Sequence, residues 1–111
     1  MAAKRWITEM GMGVDLHGGD YTKAARRAVS DALRHSSLGF FRVTDKTPDQ
    51  MQVEVRIGVA DPSAVDTEAV AAEIPYGTVT VVPVAGGLDV EGDGGGDTMV
   101  IANAAILVSF H

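Results

Sequence analysis

The sequence predicts an α/β fold, an α+β sandwich in which a mixed sheet of about four strands carries two helices on one face. Two stretches, "MQVEVRIGV" and "TVTVVPV", alternate apolar and polar residues with the period of a strand. Before and between them, apolar residues recur at spacings of three and four, the period of a helix. Strand and helix patterns alternate along the chain in the order βαβαββ, which excludes a helical bundle and an all-β sandwich.

Residues 4 to 10, "KRWITEM", begin a strand with Trp6 and Thr8 on one side and Ile7 and Glu9 on the other, and Gly11 and Gly13 are expected to end it. From Asp20 the pattern is helical. Ala24, Ala25, Ala28, Val29, Ala32 and Leu33 share one face, Asp20 is the expected N-cap, and Gly39 after "HSSL" is the expected stop. Lys23, Arg27, Ser30 and Arg34 form the polar face, with Asp31 spaced to pair with Arg27 and Arg34. The turn-rich "TDKTPDQ" leads to the first alternating strand, whose Met51, Val53, Val55, Ile57 and Val59 face one way.

Asp66 or Thr67 caps a short helix, "TEAVAAEI", stopped by Pro75 and Gly77. In "TVTVVPV", Pro83 lacks the N–H that a central strand needs and places the segment at a sheet edge or strand end. "AGGLDVEGDGGGD" is expected to be a loop, and "TMVIANAAILVSF" a final strand buried over most of its length. A sheet covered on one side only leaves Val82, Val84 and the alanine-rich last strand exposed, which predicts a homo-oligomer.

All 111 residues form one expected domain, and 46% apolar content supplies a core without disulfides or metal. The absence of cysteine excludes thiolate nucleophiles and Cys-ligated metal centres. The net charge of −6 is unevenly placed: eight Lys/Arg against six Asp/Glu in residues 1 to 50, then one against nine. An acidic second half and 5% aromatic content oppose nucleic-acid binding. The longest apolar stretch is well short of the roughly 20 residues that cross a bilayer, so the expected location is cytoplasmic and away from membranes.

The richest chemistry lies in "EMGMGVDLHGGDYTK". Glu9, Asp15, His17 and Lys23 are candidate acid–base residues, and Gly11, Gly13, Gly18, Asp20 and Thr22 are candidate substrate contacts. Asp15, His17 and Asp20 are also a ligand set suited to zinc, manganese or iron, although the same carboxylates serve as turn formers and caps. No cofactor is specified: the glycines miss the dinucleotide fingerprint at Leu16, and no Gly-Lys-Ser/Thr follows for a phosphate loop. "GDGGGD" lacks the ligand spacing of an EF-hand and reads as a hairpin connection. His35, Ser36 and Ser37 fit a helix C-cap, with Ser36 a candidate nucleophile if a base lies within reach.

With its glycine, Asp-Leu-His-Gly and Thr-Lys-Ala-Ala pattern, the segment "EMGMGVDLHGGDYTKAARRAVSDALRHSSLG" resembles a family of short conserved hypothetical proteins first catalogued from Listeria. Over the first 40 residues it is also similar to one repeat of the cyanuric acid hydrolase and barbiturase family. Thr8, Glu9 and Gly11 match one family segment, and Gly19, Asp20, Tyr21, Thr22 and Lys23 match a second. That resemblance implies three repeats around a central site and Ser-Lys opening of a cyclic amide. A single-repeat chain would have to form a trimer, or a multiple of three, with a polar site at the subunit interface. The family's lysine aligns with Ile7 here and its Ser-Gly-Gly with Ser36-Ser37-Leu38-Gly39, so His17 or Lys23 would replace the base and Asp15 would orient it. The expectations are therefore an amidohydrolase-like enzyme for a small cyclic amide or carbonyl metabolite, a non-catalytic ligand-binding or regulatory module, or a metalloenzyme.

Overall fold

The computed structural model describes residues 4–34, 51–75, 77–94 and 97–110, with side chains from residue 8 onward and short of residue 110. Strand β1 (Lys4–Asp15) leads to helix α1 (Tyr21–Arg34) and strand β2 (Met51–Val59). A 3-10 turn (Pro62–Ala64) and helix α2 (Thr67–Ala71) follow, then β3 (Thr78–Ala85), β4 (Leu88–Glu91) and β5 (Thr98–Phe110).

The five strands form one mixed sheet in the order β1-β5-β2-β3, with β4 also paired to β5. β5 is antiparallel to β1 and to β2, whereas β2 and β3 are parallel. Parallel neighbours need a crossover, and the 3-10 turn and α2 supply it between β2 and β3. β4 pairs Leu88–Glu91 with Ile101–Thr98, and β2 pairs with β5 only as far as Asn103. The chain therefore leaves the β3 lane after Ala85 and re-enters the sheet beyond the end of β2.

Both helices cover one face, as expected. Val53, Val55, Ile57 and Val59 of β2 and Val100, Ala102, Ala104, Ile106 and Val108 of β5 are buried against Ala24, Ala25, Ala28, Val29 and Ala32 of α1, with Val70 of α2 in the same cluster. Each fully buried valine or isoleucine contributes about 1.5–3 kcal/mol to burial. Asp66 caps α2, accepting from the Glu68 and Ala69 N–H groups at 3.1 and 3.2 Å.

Three boundaries differ from those expected. β1 does not stop at Gly11 and Gly13 but runs through them to Asp15. A Cβ on either glycine would come nearer than 3.0 Å to the α1 backbone at Ala24, Ala28 or Ala32. These glycines admit the helix rather than break the strand. α2 closes at Ala71, earlier than Ile74, with a turn carrying the chain to Pro75. Finally, "LDVE" within the expected loop is strand β4, and its hairpin with β5 is closed by the Gly92 N–H donating to the Asp97 carbonyl. Pro83 lies on the edge strand β3, as its missing donor requires.

Candidate functional site

The loop between β1 and α1 is organised by two carboxylates. Asp20 caps α1, accepting from the Lys23 N–H at 3.0 Å. Asp15, at the end of the inward-facing Gly11, Gly13, Asp15 series, is the buried charged residue among the described residues, at 2% exposure. Its Oδ2 accepts the Asp20 N–H at 2.9 Å, and its Oδ1 lies 3.6 Å from Lys23 Nζ and 3.9 Å from Arg27 Nη1. The Asp20 N–H lowers the Asp15 pKa below its ordinary value, burial works against it, and the charges of Lys23 and Arg27 lower it further.

A carboxyl with a lowered folded pKa contributes stability above its unfolded value and loses it as pH falls through the folded value. Asp15→Asn should therefore melt well below the wild type at pH 7. The gap in melting temperature should close as pH drops below about 4, a difference that paired thermal melts from neutral to acid would measure.

The expected constellation is divided by this geometry. Asp15 engages Lys23 and the Asp20 N–H, while His17 is turned outward, its Nδ1 3.1 Å from Asp97 Oδ2. The proposed orientation of His17 by Asp15 is thus replaced by a His17–Asp97 pair. Asp15, His17 and Asp20 do not converge on one point, and among the described residues no group of three or more His, Asp or Glu is placed to hold a metal ion. Thr22 ties α1 to α2: its hydroxyl accepts the Asp66 N–H at 2.9 Å. Gly11 and Gly13 face the helix, and Glu9 is half-buried on β1. His35, Ser36, Ser37 and Gly39 lie outside the described residues.

The concave feature next to the loop is a cleft of about 420 Å³ between the loop and the β4–β5 hairpin, lined by Gly18, Gly19, Tyr21, Asp89, Glu91, Asp97 and Thr98. Three of these are acidic and none is basic. The Gly19 N–H donates to the Thr98 carbonyl at 3.1 Å and holds the two walls together. Tyr21, the first residue of α1, donates its hydroxyl to Asp89 Oδ2 in a short hydrogen bond. That bond stabilises the protonated phenol and raises the Tyr21 pKa above 10.0, with burial and the Asp89 charge adding to the effect. Asp89 Oδ1 is buried without a hydrogen-bond partner among the described residues, an arrangement that costs free energy unless something donates to it.

Sequence reading missed Tyr21, Asp89, Glu91, Asp97 and Thr98. The signal for Asp89 and Glu91 was the short alternation Leu88-Asp89-Val90-Glu91, overshadowed by the surrounding glycines.

Residues 5–108 match the model of a conserved hypothetical protein family, Lin0512. The chain belongs to the Lin0512 family. Among solved structures, it is similar to a crystal structure described as an FtsZ-like protein of unknown function from Nostoc punctiforme. The two are 40% identical with a TM-score of 0.89, over 100% of this chain and 98% of that one. No curated protein matches it. The Lin0512 fold here has, among its described residues, no helix long and apolar enough to cross a membrane.

Proposed function

We propose that the protein binds a small, positively charged or donor-rich metabolite in the cleft between the β1–α1 loop and the β4–β5 hairpin. The observation that carries this reading is Asp89, with one oxygen taken by Tyr21 and the other buried and unmatched at the cleft wall. A small rotation of the Asp89 carboxylate would turn that oxygen to a ligand N–H, and Glu91 and Asp97 would add attraction for positive charge. All seven lining residues come from one chain, so this reading needs no three-fold assembly.

The test is a thermal-shift and calorimetric series with putrescine, agmatine and cyanuric acid as probes, on the wild type and on Asp89→Asn. Putrescine or agmatine should raise the wild-type melting temperature, and Asp89→Asn should weaken that binding at least about tenfold, the loss expected from one charged hydrogen bond. Equal binding by both proteins, or none by the wild type, would sink the reading.

A hydrolase-like reading, directed at a cyclic amide or carbonyl compound, is favoured by one further observation. His17 stands beside the cleft with its ring paired to Asp97, the geometry that orients an imidazole as a general base. Lys23, engaged with Asp15, would have an electrostatic role rather than that of the base. Turnover of cyanuric acid that disappears in His17→Ala would support this form.

A further inference from the structure

The sheet face opposite the helices exposes Met10, Met12, Val84, Leu88 and Val90, each more than 40% accessible. Strand register places these residues in an ordered array. Across the sheet, Met10, Ala105, Arg56 and Val82 form one row, and Met12, Asn103, Gly58 and Val84 form the next. Val14, Ile101 and Leu88 form a third, with Val90 just beyond it on β4. In the other direction the row is Thr8, Leu107, Glu54 and Thr80. The β1 edge is thus apolar where the opposite edge is apolar, and threonine where it is threonine. Between the edges lie Leu107, Ala105, Asn103 and Ile101 of β5 and, on β2, Gly58 and one ion pair, Arg56 with Glu54 at 2.6 Å.

A two-fold axis lying along the boundary of β5 and β2 turns each four-lane row onto itself reversed. It sets Met10 over Val82, Met12 over Val84 and Ile101 over Leu88 of a second copy, with the Glu54–Arg56 pairs meeting near the axis. We propose that this face is the interface of a face-to-face homodimer, with a second copy of this chain as its occupant. Three rows of four lanes and two shorter rows, at about 4.8 Å per lane and about 6.8 Å per row, give each copy a flat footprint of about 550 Å². Side-chain relief brings that towards the about 800 Å² per partner of a standard interface.

The alternative route to assembly, edge against edge, is blunted at both outer strands. On β1, the Met12 N–H donates to Asp31 at 3.0 Å, and Arg27 donates to the Val14 carbonyl at 2.6 Å. On β3, Pro83 removes a donor from the ladder. This inference rests on strand register and is independent of the cleft, because Leu88 and Val90 alternate away from Asp89 on β4.

The test is sedimentation velocity across a micromolar concentration series. Residues 12 and 84 of one chain are three lanes, about 14 Å, apart and meet only across the proposed axis. The wild type should sediment as a dimer, Met12→Glu and Val84→Lys should each shift it to monomer, and the double variant should restore the dimer. Met10→Glu with Val82→Lys repeats the experiment one row away, and circular dichroism confirms that each variant is folded. A wild type that is monomeric or trimeric, single variants that still dimerise, or double variants that stay monomeric would each overturn the proposal.

Discussion

Gly13→Ala is expected to lower stability by at least about 3 kcal/mol, at the upper end of the cost of overpacking a core. In a chain of this size that is a large share of the 5–15 kcal/mol that holds a domain together. The added methyl would meet the Ala24 carbonyl, the Ala28 N–H and the Arg27 backbone, all nearer than 3.0 Å. Backbone cannot rotate aside as a side chain can, so α1 has to lift from β1 as a unit. Lifting it opens the core along Ala24, Ala28 and Ala32 and withdraws Lys23 and Arg27 from Asp15. Gly18→Ala is the matching control. Its Cβ would meet nothing within 4 Å, although its φ of +87° makes the change mildly unfavourable. Urea denaturation should therefore rank Gly13→Ala far below Gly18→Ala. Equal midpoints would mean that α1 is not seated on the strand glycines.

The same glycines explain where the sequence was misleading. In isolation a glycine in an apolar run signals a break, yet Gly11, Gly13 and Asp15 recur with period two and all face α1. The facing helix answers with alanine at 24, 28 and 32, and this small-against-small match across two elements is the tertiary signal that a local reading cannot weigh. The strands with unbroken alternation, β2 and β3, were legible with their edges because the pattern is internal to each. β4 was not, since four residues between glycine runs become a strand only by pairing with β5. The site divides in the same way. The Asp20 cap is local chemistry and was legible, but the opposite cleft wall comes from Asp89, Glu91, Asp97 and Thr98, brought to Tyr21 by register alone. Asp31 likewise spends a carboxylate oxygen on the Met12 N–H, a bond that helix spacing does not announce.

Gly87→Ala is expected to dismantle that cleft wall while leaving the helix-covered core standing. Gly87 lies where the chain passes from the β3 lane into the lane of β2, and it does so at φ +63°, a conformation that costs an alanine about 1–2 kcal/mol. A Cβ there would also press on the carbonyl oxygens of Ile101 and Gly58, both nearer than 3.0 Å and both backbone. Together these terms come to about 2–5 kcal/mol. The core residues on β2, β5 and α1 lie on the other side of the sheet, and β4 is held by only four residue pairs with β5. Release of β4 is therefore the cheapest way to relieve the clash, and it carries Asp89 away from Tyr21. Because Asp89 raises the Tyr21 pKa by accepting a hydrogen bond from the phenol, its departure should return that phenol towards 10.0. Spectrophotometric titration should then find Tyr21 ionising at lower pH in Gly87→Ala than in the wild type. Hydrogen exchange should find the Val90 amide unprotected while that of Val55 stays slow, and agmatine or putrescine binding should be lost together with both signals. A variant with the wild-type Tyr21 titration would mean that β4 is anchored by something other than the Gly87 crossing, and that the cleft tolerates a side chain there.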